Sequence, residues 1–522
     1  MLNTIVSVLV LSSANCIFAE TGNVEFYSNN QSSSEPSISS ATAGKKESES
    51  EAPGVKNFSS DELDQKKLLN MIRKGVVAVK VNAHVILDKY FNDKMWHGTG
   101  FIADIEKGLI VTNAHVAGEM AVCTYEVKFG NGRTAEAKLE YIDPCYDFAV
   151  LSVKPEDIPP YSAALKFSEK PIHLNATVYS MGNSIRNEFS TYQGYVFDTE
   201  SILWLKPIAE QSFQFSGLTV PGASGSPVFN ASGEVIGILY GGKLVSGAAL
   251  PISYVKPVVD SIKEGKKFSR YFHGCIINYT SIQEAIASGS ISSDVAEEYE
   301  KKFQNSNNKI LFVSKKVGAF NGEENPIEAG DVIWKVDGEL IGPNLREIDR
   351  IIHSKGGKEV EFSIYRKGKK IDLKVPTYEM SIDKKLKLLS FAGTTFFETT
   401  DELKINSGKK GNGVYITESE IGSPFMEITA PIGITYQATV FNIIEIDDKK
   451  IECLGDVIDL IPSLLKKKIF TVKFIKIGGD SQPSSVITKY SPEFAEATLY
   501  SFNTKTKYWD VTAIKNPSQQ NK

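Results

Sequence analysis

A serine set among glycines and small residues is the part of this sequence best suited to chemistry. Residues 222–228 read GASGSPV, and a strand-like apolar run begins at Val235. Glycine allows the sharp turn that would expose the Ser224 hydroxyl and leave neighbouring backbone NH groups facing an oxyanion. The same pattern is also typical of a surface loop. A serine hydroxyl is a poor nucleophile at neutral pH, so a reactive Ser224 requires a histidine base and a carboxylate elsewhere in the chain.

Two upstream stretches supply those partners. Residues 109–116 (LIVTNAHV) place His115 just after an apolar strand, and residues 143–151 (DPCYDFAVL) place Asp147 just before another. The chain order His, Asp, Ser is that of chymotrypsin and differs from the order Ser, acid, His of the α/β-hydrolases. A lipase-type Gly-x-Ser-x-Gly motif also fails locally, because Ser226 stands where its second glycine would be.

Four motifs along the chain resemble the successive signatures of the HtrA (Deg) family of trypsin-like serine proteases. In chain order they are GTGF at 98–101, TNAHV at 112–116, DFAVL at 147–151 and GASGSPV at 222–228. The resemblance implies a catalytic triad in which His115 is the general base, Asp147 orients it and Ser224 is the nucleophile. It also implies an oxyanion hole formed by the backbone NH groups of Gly222 and Ser224.

A second histidine, His84, lies in nearly the same local sequence, since NAHV occurs at 82–85 and again at 113–116. In the HtrA pattern the catalytic histidine follows both the GTGF strand and a further apolar run, and only His115 does so. We therefore expect His84 to lie outside the triad. Packing or surface roles are expected for the remaining, isolated histidines, which are His97, His173, His273 and His353.

Length and composition predict several ordinary globular units. A chain of 522 residues is too long for a single hydrophobic core. Its 42% hydrophobic and 23% charged residues are ordinary globular values, so neither a fibrous nor a wholly disordered protein is indicated. The net charge of -5 provides no global basic surface, so no nucleic-acid partner is expected. No metal-ligand spacing appears, and we expect neither a metal nor another cofactor.

The N-terminal segment predicts export. Residues 1–19 combine an apolar core with small residues, as in a secretory signal peptide, although the segment lacks Lys or Arg and Ile17 makes the cleavage site imperfect. Residues 20–60 are rich in Ser, Glu, Asn and Gly, which predicts a disordered linker. We therefore expect a periplasmic or secreted protein.

The remaining cysteines after signal removal are Cys123, Cys145, Cys275 and Cys453. No pair has the Cys-x-x-Cys spacing of zinc or thioredoxin-like sites. Cys123 and Cys145 could form a disulfide in an oxidising compartment, or both could be buried thiols. The sequence leaves this choice open.

The pattern of elements predicts a mainly β protein. A short helix is expected near residues 63–72, and many short β runs separated by turns then extend from 76 to 262, which indicates two packed β-barrels. A strong hairpin signal, FGNGR, occupies residues 129–133. The predicted fold is a chymotrypsin-like double β-barrel followed by two α+β PDZ-like domains. The predicted units are the signal peptide 1–19, linker 20–60, protease domain 61–265, PDZ-like domains 266–378 and 379–490, and a C-terminal tail 491–522.

The two PDZ-like domains are inferred from an internal repeat. At an offset of 110 residues, which joins Ile333 to Ile443, matching residues recur across a strand, an Asp-containing turn, a short amphipathic helix and a second strand. The first copy contains GDVIWKVDG at 330–338, which resembles PDZ domains of HtrA proteases. Such domains bind a C-terminal or extended peptide as an added strand.

By resemblance, the peptide carboxylate loop of the first copy would be Tyr271, Phe272, His273 and Gly274, and residues 390–393 (SFAG) would be its counterpart in the second. Neither has the usual Gly-Leu-Gly-Phe pattern, so the second copy could be structural only. By the same resemblance, the substrate pocket is expected to be walled by residues 215–221, 239–242 and 248–251, among them Leu239, Tyr240, Gly241 and Ala249. No Asp or Glu lies among them, which predicts cleavage after small or medium aliphatic residues.

The resemblance thus implies a serine endopeptidase that hydrolyses unfolded or misfolded polypeptides in protein quality control, with PDZ domains that recruit or regulate. The alternative is a proteolytically latent chaperone or PDZ scaffold. A homo-oligomer is among the partners that the family implies. However, GASGSP at 222–227 is closer to the GSSGSP of eukaryotic nuclear HtrA-like proteases than to the bacterial GNSGG, which leaves a periplasmic trimer or cage, and the compartment itself, open.

Overall fold

The fold is taken from a computed structural model of the whole chain. It describes residues 60–514 apart from 87–93, 120, 185–187, 204–209, 218, 244, 305, 318–323, 381–386, 408–411, 430–439, 478–481 and 490–491. The predicted signal peptide and nearly all of the predicted linker therefore lie outside the described residues. Within those ranges, no helix combines the length and the apolar character that a bilayer crossing needs.

The first β-barrel follows a short N-terminal helix, α1 (Ser60–Arg73). Its strands are β1 (Val76–Ile86), β2 (Met95–Asp104), β3 (Leu109–Thr112), β4 (Ala121–Phe129), β5 (Thr134–Ile142) and β6 (Ala149–Val153). They close in the order β1-β2-β3-β6-β5-β4. The predicted hairpin at 129–133 joins β4 to β5, where Phe129 N donates to the Arg133 carbonyl at 2.9 Å.

The second barrel has the same closed form. Its strands are β7 (Thr177–Gly182), β8 (Ser190–Leu203), β9 (Glu210–Ser216), β10 (Pro227–Asn230), β11 (Val235–Lys243) and β12 (Ser246–Pro251), and the helix α2 (Lys256–Lys263) follows. They close in the order β10-β11-β12-β9-β8-β7. Burial largely alternates along β1 and β5 of the first barrel, as period-2 side-chain alternation predicts, whereas β7, β9 and β12 of the second barrel are buried almost throughout. The predicted chymotrypsin-like double barrel is confirmed.

The first PDZ-like unit follows directly. Its elements are β13 (Arg270–Phe272), β14 (Cys275–Ser281), α3 (Ile282–Ala287), α4 (Ser293–Lys302), β15 (Lys309–Lys316), β16 (Val332–Val336), β17 (Glu339–Leu340), α5 (Leu345–Ser354), β18 (Val360–Arg366), β19 (Lys369–Val375) and β20 (Tyr378–Met380). One sheet runs β14-β15-β16-β18-β19, while β13 pairs with β20 in a separate ribbon.

The second unit repeats this arrangement and extends it. Its elements are β21 (Lys387–Phe391), β22 (Thr394–Glu398), α6 (Asp401–Ser407), β23 (Val414–Ser419), α7 (Met426–Thr429), β24 (Phe441–Ile446), β25 (Lys449–Lys450), α8 (Leu454–Leu464), β26 (Ile469–Lys476), β27 (Ser484–Lys489), β28 (Ala497–Asn503) and β29 (Tyr508–Ala513). The sheet runs β27-β26-β24-β23-β22-β21-β28-β29. Both units are consistent with the predicted PDZ-like class.

The strand registers agree with the repeat inferred from the sequence. Ile333 pairs with Ile364 in the first unit, and Ile443 pairs with Phe474 in the second, which keeps the offset of 110 on both strands. The register then shifts at the same place in both units, between Ile333 and Lys335 in the first and between Ile443 and Glu445 in the second. The predicted duplication is therefore visible in the hydrogen-bonded pairing as well as in the residue types.

The predicted tail boundary needs correction. Residues 491–522 were expected to form a tail, but β28 pairs along its whole length with β21, and β29 pairs with β28. The sheet of the second unit therefore continues past residue 490. The sequence concealed this because β28 corresponds to β20 at an offset of 119 residues rather than 110: Leu389 pairs with Leu499 as Arg270 pairs with Met380. β29 has no counterpart in the first copy.

The open question about the cysteines is also answered. Cys123 and Cys145 are both buried and are not joined by a disulfide. Burial raises the pKa of the Cys123 thiol well above its usual value, so this side chain behaves as a small apolar core residue.

Candidate active site

His115 and Asp147 form a closely bonded pair on the first barrel. The imidazole Nδ1 lies 2.7 Å from Asp147 Oδ2, and the backbone NH of His115 donates to Asp147 Oδ1 at 2.9 Å. A carboxylate only accepts, so Nδ1 carries the proton and Nε2 is left as the basic nitrogen. Asp147 is 2% exposed, whereas the His115 side chain is 36% exposed. A buried acid thus orients an accessible imidazole.

The two loops that carry this pair are held by backbone-directed bonds. Asn113 Nδ2 donates to the Asp147 carbonyl at 2.8 Å, which ties the turn after β3 to the turn before β6. Asp143 accepts from the NH groups of Cys145 and Tyr146 at 2.8 and 2.9 Å, and so closes the turn that leads to Asp147. Both buried polar side chains therefore help to position the pair.

Ser224 lies in a tight turn between β9 and β10. A Cβ at Gly225, whose φ is +89°, would lie 1.8 Å from the Thr99 carbonyl oxygen, so only glycine fits at this close approach. Ser226, the residue that excluded a lipase motif, is buried and donates its hydroxyl to the Ala223 carbonyl at 2.5 Å. The glycine and the second serine shape the turn that presents Ser224.

The Ser224 hydroxyl contacts a backbone carbonyl rather than the imidazole in this structure. Its Oγ lies 3.5 Å from the Tyr240 carbonyl oxygen, a contact at the limit of a hydrogen bond. His115 and Ser224 are both described residues, and no hydrogen bond joins their side chains. The structure thus brings the acid and the base together and places the alcohol nearby, in a side-chain orientation that does not engage the base.

Gly222 has the backbone conformation of a tight turn, with φ of 93°. Its carbonyl accepts the Thr99 hydroxyl at 2.8 Å, and the Ser224 carbonyl accepts the Thr99 NH at 2.8 Å. The carbonyls on both sides of the Ser224 NH therefore point into the protein. The NH groups of Ala223 and Gly225 are also bonded within the protein, to the Val220 and Leu239 carbonyls at 3.1 and 2.8 Å.

The structure separates the two NAHV histidines clearly. His84 is exposed on β1, and the buried Asp147 carboxylate bonds His115 instead. His97 and His173 are exposed as well. His353 has a packed environment, and its Nε2 lies 2.9 Å from a guanidinium nitrogen of Arg270.

Three of the four side chains predicted to wall the substrate pocket are buried in the core. Leu239, Tyr240 and Ala249 are at most 1% exposed, and Gly241 is partly exposed. Beside them, the Phe215 ring lies so close to Gly247 that a Cβ there would be 2.5 Å from it. The side-chain space behind the strand is thus filled by an aromatic ring rather than left open.

The predicted carboxylate loop of the first PDZ-like unit is largely buried as well. Tyr271 and Phe272 belong to β13, His273 is 7% exposed, and Gly274 begins the turn into β14. Burial lowers the pKa of His273 to about 4, and its Nδ1 contacts Cys275 Sγ at 3.0 Å. The side chains of Phe272 and His273 therefore serve packing.

A buried ionic cluster joins the first PDZ-like unit to the protease unit, and the sequence analysis did not find it. Arg270 on β13 donates to Asp143 Oδ2 through Nε at 3.0 Å and through a terminal nitrogen at 2.6 Å. It also lies 3.2 Å from Asp349 on α5, which accepts the Tyr146 hydroxyl at 2.6 Å. Burial lowers the pKa of a guanidinium, but Asp143 and Asp349 keep the pKa of Arg270 well above its ordinary value.

This cluster lies next to a junction cavity of about 640 Å³, between the β5–β6 loop, β13 and the hairpin of β28 and β29. The sequence contained a partial signal for the cluster, since Asp143 stands four residues before Asp147 and Arg270 just before the predicted loop. No repeat or periodicity indicated that Asp143 and Arg270 would meet, because these two residues lie 127 positions apart in the chain.

Glu210 is a second acidic residue behind the triad. It is fully buried at the start of β9, and its Oε2 accepts from the Asp147 NH at 3.4 Å. Burial and the nearby Glu210 carboxylate raise the pKa of Tyr240 well above its usual value. Among the described residues, no group of three or more His, Cys, Asp or Glu has an arrangement that could hold a metal ion.

Residues 98–238 match the family model of the trypsin-like peptidase domain. This range contains the three predicted triad residues and most of both barrels. The double barrel and the match together define a trypsin-like serine protease domain. The chain is similar to the HtrA (Deg) trypsin-like serine proteases, as its sequence motifs predicted.

Curated relatives carry the name pro-apoptotic serine protease NMA111. The protein of Pyricularia oryzae is 26% identical over 386 residues, which are 72% of this chain and 36% of the relative. The protein of Meyerozyma guilliermondii is 21% identical over 488 residues, covering 89% of this chain and 46% of the relative. The chain therefore spans less than half the length of these relatives.

Among solved structures, the HtrA-type protease AlgW with a decapeptide covers 60% of this chain and 98% of its own, at 20% identity and a TM-score of 0.45. The serine endoprotease from Yersinia pestis covers 62% of this chain and 100% of its own, at 20% identity and a TM-score of 0.41.

Proposed function

We propose that this protein is a serine endopeptidase that hydrolyses unfolded or misfolded polypeptides. The observation that carries the proposal is the doubly bonded pair of Asp147 and His115, with the basic imidazole nitrogen left accessible. A serine in a glycine-shaped turn lies on the facing barrel. This combination provides a base, its orienting acid and a nucleophile at the cleft between two barrels.

In the proposed mechanism, the Ser224 hydroxyl first rotates away from the Tyr240 carbonyl to a second staggered position near the imidazole. His115 takes the hydroxyl proton as Ser224 Oγ attacks the scissile carbonyl, and the NH groups of Gly222 and Ser224 stabilise the oxyanion. His115 then gives this proton to the leaving amine. Water, activated by the same imidazole, hydrolyses the acyl-enzyme and restores the Ser224 hydroxyl.

The packing beside β11 and β12 supports a preference for small or medium aliphatic residues before the cleaved bond. Phe215 occupies the space next to Gly247, so little room is left there for a large side chain. A long basic side chain would meet no carboxylate at these positions. Cleavage of unfolded chains follows, since such residues become accessible when a core is exposed.

We propose different roles for the two PDZ-like units. In the first, β14 pairs with β15 on one side, and no described strand pairs with its other edge, so an extended peptide could add there. In the second, the corresponding strand β22 is already covered by β21, which is covered in turn by β28. The first unit would recruit peptides, and the second would be structural.

One observation favours the alternative function. The contact between Ser224 Oγ and the Tyr240 carbonyl is the geometry expected of a resting protease or of a latent chaperone that only holds unfolded chains. Both functions use the same fold and the same peptide-binding edge. They differ in whether Ser224 reaches the imidazole when substrate is present.

The test is to incubate the full chain and a Ser224→Ala variant with unfolded casein and with a fluorophosphonate probe. The endopeptidase proposal expects labelling and casein cleavage by the natural chain, and a loss of about 10⁶-fold in the variant. Suppression of casein aggregation by both proteins, with no cleavage or labelling by either, would establish the latent chaperone instead. Mass spectrometry of the casein products would show cleavage after aliphatic residues, and cleavage only after Lys or Arg would contradict the proposed pocket.

The export prediction and the role in quality control belong to the same proposal. Residues 1–19 lie outside the described residues, so the signal peptide stays a prediction. The N-terminal sequence of the protein secreted by an expressing cell would test it, because removal of the predicted signal peptide should leave Glu20 as the first residue.

A further inference from the structure

Thr99 is a fully buried residue of β2 that contacts the nucleophile turn from the opposite barrel. Its hydroxyl donates to the Gly222 carbonyl at 2.8 Å, and its backbone NH donates to the Ser224 carbonyl at 2.8 Å. One residue of the first barrel therefore holds the carbonyl groups on both sides of the Ser224 NH in the second. GTGF at 98–101 was noticed in the sequence as a motif, with no role attached to this threonine.

The bonding capacity of the Thr99 side chain is fully used. The hydroxyl oxygen accepts from the Asn183 NH at 2.8 Å and from Asn183 Nδ2 at 3.3 Å, while its proton goes to Gly222. Asn183 Nδ2 also donates to the Val77 carbonyl at 3.1 Å. The Thr99 hydroxyl thus connects the nucleophile turn to the loop after β7 and to β1.

A fixed carbonyl also fixes the NH of the same peptide plane, because the peptide unit is rigid. The Gly222 and Ser224 carbonyls belong to the planes on either side of the one that contains the Ser224 NH. When both are bonded to Thr99, the intervening plane has little freedom to rotate. The remaining freedom at Gly222 is its own φ, which determines where the Gly222 NH points.

We propose that Thr99 is a positioning residue for the oxyanion hole: its hydroxyl and NH hold the nucleophile turn so that the Ser224 NH stays directed at the substrate oxygen. Thr99 does not touch substrate and takes no proton. Its contribution is to prevent the Gly222 carbonyl from rotating into the site. This inference rests on the proposed function, because an oxyanion hole matters only if Ser224 attacks an amide.

The test compares Thr99→Val, which keeps the side-chain shape and removes the hydroxyl, with Thr99→Ser, which keeps the hydroxyl. For Thr99→Val we expect kcat on casein and the fluorophosphonate labelling rate to fall at least about tenfold, with KM within about twofold, since an oxyanion donor acts on the transition state. Thr99→Ser should restore both rates to within about threefold of the natural chain. The pH midpoint of labelling should not move in either variant.

Ser201→Ala is the matched control. It removes another buried hydroxyl, bonded to Ser212 on the neighbouring strand of the second barrel, and it does not contact the nucleophile turn. We expect it to lower the melting temperature as much as Thr99→Val and to keep the natural kcat. The inference is overturned if Thr99→Val retains the natural kcat and labelling rate. It is also overturned if kcat and the labelling rate fall as far in Thr99→Ser or Ser201→Ala as in Thr99→Val. A natural chain that is not labelled at Ser224 would instead overturn the proposed function and this inference with it.

Discussion

The two PDZ-like units share strands, helices and register, and in both the first strand pairs with an equivalent later strand, β20 or β28. Only in the second unit does the first strand also pair with the strand that follows it. In the first unit β13 turns away to pair with β20, which leaves one edge of β14 without a described strand partner. In the second unit β21 folds back on β22 as a hairpin, and β28 then pairs with β21. A duplicated fold thus retained an open sheet edge in one copy and closed it in the other, which separates peptide binding from structural support.

The residues just before the glycine turn also differ in chemical character between the two copies. Arg270, Tyr271, Phe272 and His273 of the first copy align with Leu389, Ser390, Phe391 and Ala392 of the second. Arg270 is paired with acidic groups of the protease unit, whereas Leu389 is fully buried in the apolar core of its own unit. The first copy is therefore joined to the active-site loops by charge. The second packs on the first barrel through apolar side chains such as Val122 and Phe397.

The largest expected effect comes from breaking the charged contact. Arg270→Met should lower the free energy of unfolding by about 3–5 kcal/mol, because Asp143 is left as an unpaired buried carboxylate. It should also reduce labelling of Ser224, since Asp143 closes the turn that carries Asp147. Denaturant unfolding and fluorophosphonate labelling measure the two effects.

Leu389→Ala is the counterpart in the second copy. It should cost a similar about 2–5 kcal/mol through the cavity it leaves, while labelling of the folded protein stays at the natural rate. Equal loss of labelling in both variants would contradict the distinction between a charged, active-site-linked copy and an apolar, structural one.

A smaller effect is expected from pH. The pKa of the buried His273 is about 4, below the unfolded value near 6.5, so the unfolded chain binds more protons between these values and stability falls as the pH decreases. The cost should reach about 2 kcal/mol at pH 5 relative to pH 7. His273→Phe should remove this loss, and Ala392 provides no equivalent in the second copy. Thermal unfolding at both pH values would measure it, and an unchanged pH dependence in the variant would contradict the assignment.

The smallest effect is expected at the surface contact of the second copy. Lys507 Nζ lies 3.3 Å from Glu140 Oε2, and Tyr508 donates its hydroxyl to Glu136 at 2.9 Å. Such partly exposed pairs contribute little, so Lys507→Ala should change the free energy of unfolding by at most about 1 kcal/mol. A loss of more than about 3 kcal/mol would show that this copy is held by charge after all.

Much of the fold was predictable because it depends on local patterns. Alternating apolar residues and turn signals predicted both barrels, and the offset from Ile333 to Ile443 predicted a repeat whose registers agree. The strand β28 was missed because it matches β20 only at a different offset, 119 residues, and β29 was missed because no first-copy segment corresponds to it. His115 and Asp147 were found because their motifs are local, whereas Arg270 and Thr99 were not, since their importance depends on partners 127 and 123 residues away.

By itself, the sequence determined which residue types were available for chemistry, in which order, and which segments would become strands, because these properties depend on neighbours along the chain. Only the tertiary structure decided that Asp147 bonds His115 rather than His84, that Thr99 holds the Ser224 turn, and that one PDZ-like edge is open while the other is covered. Those outcomes depend on which distant strands pack together. Burial stabilises these pairings, because a polar group removed from water must find its hydrogen-bond partner inside the protein.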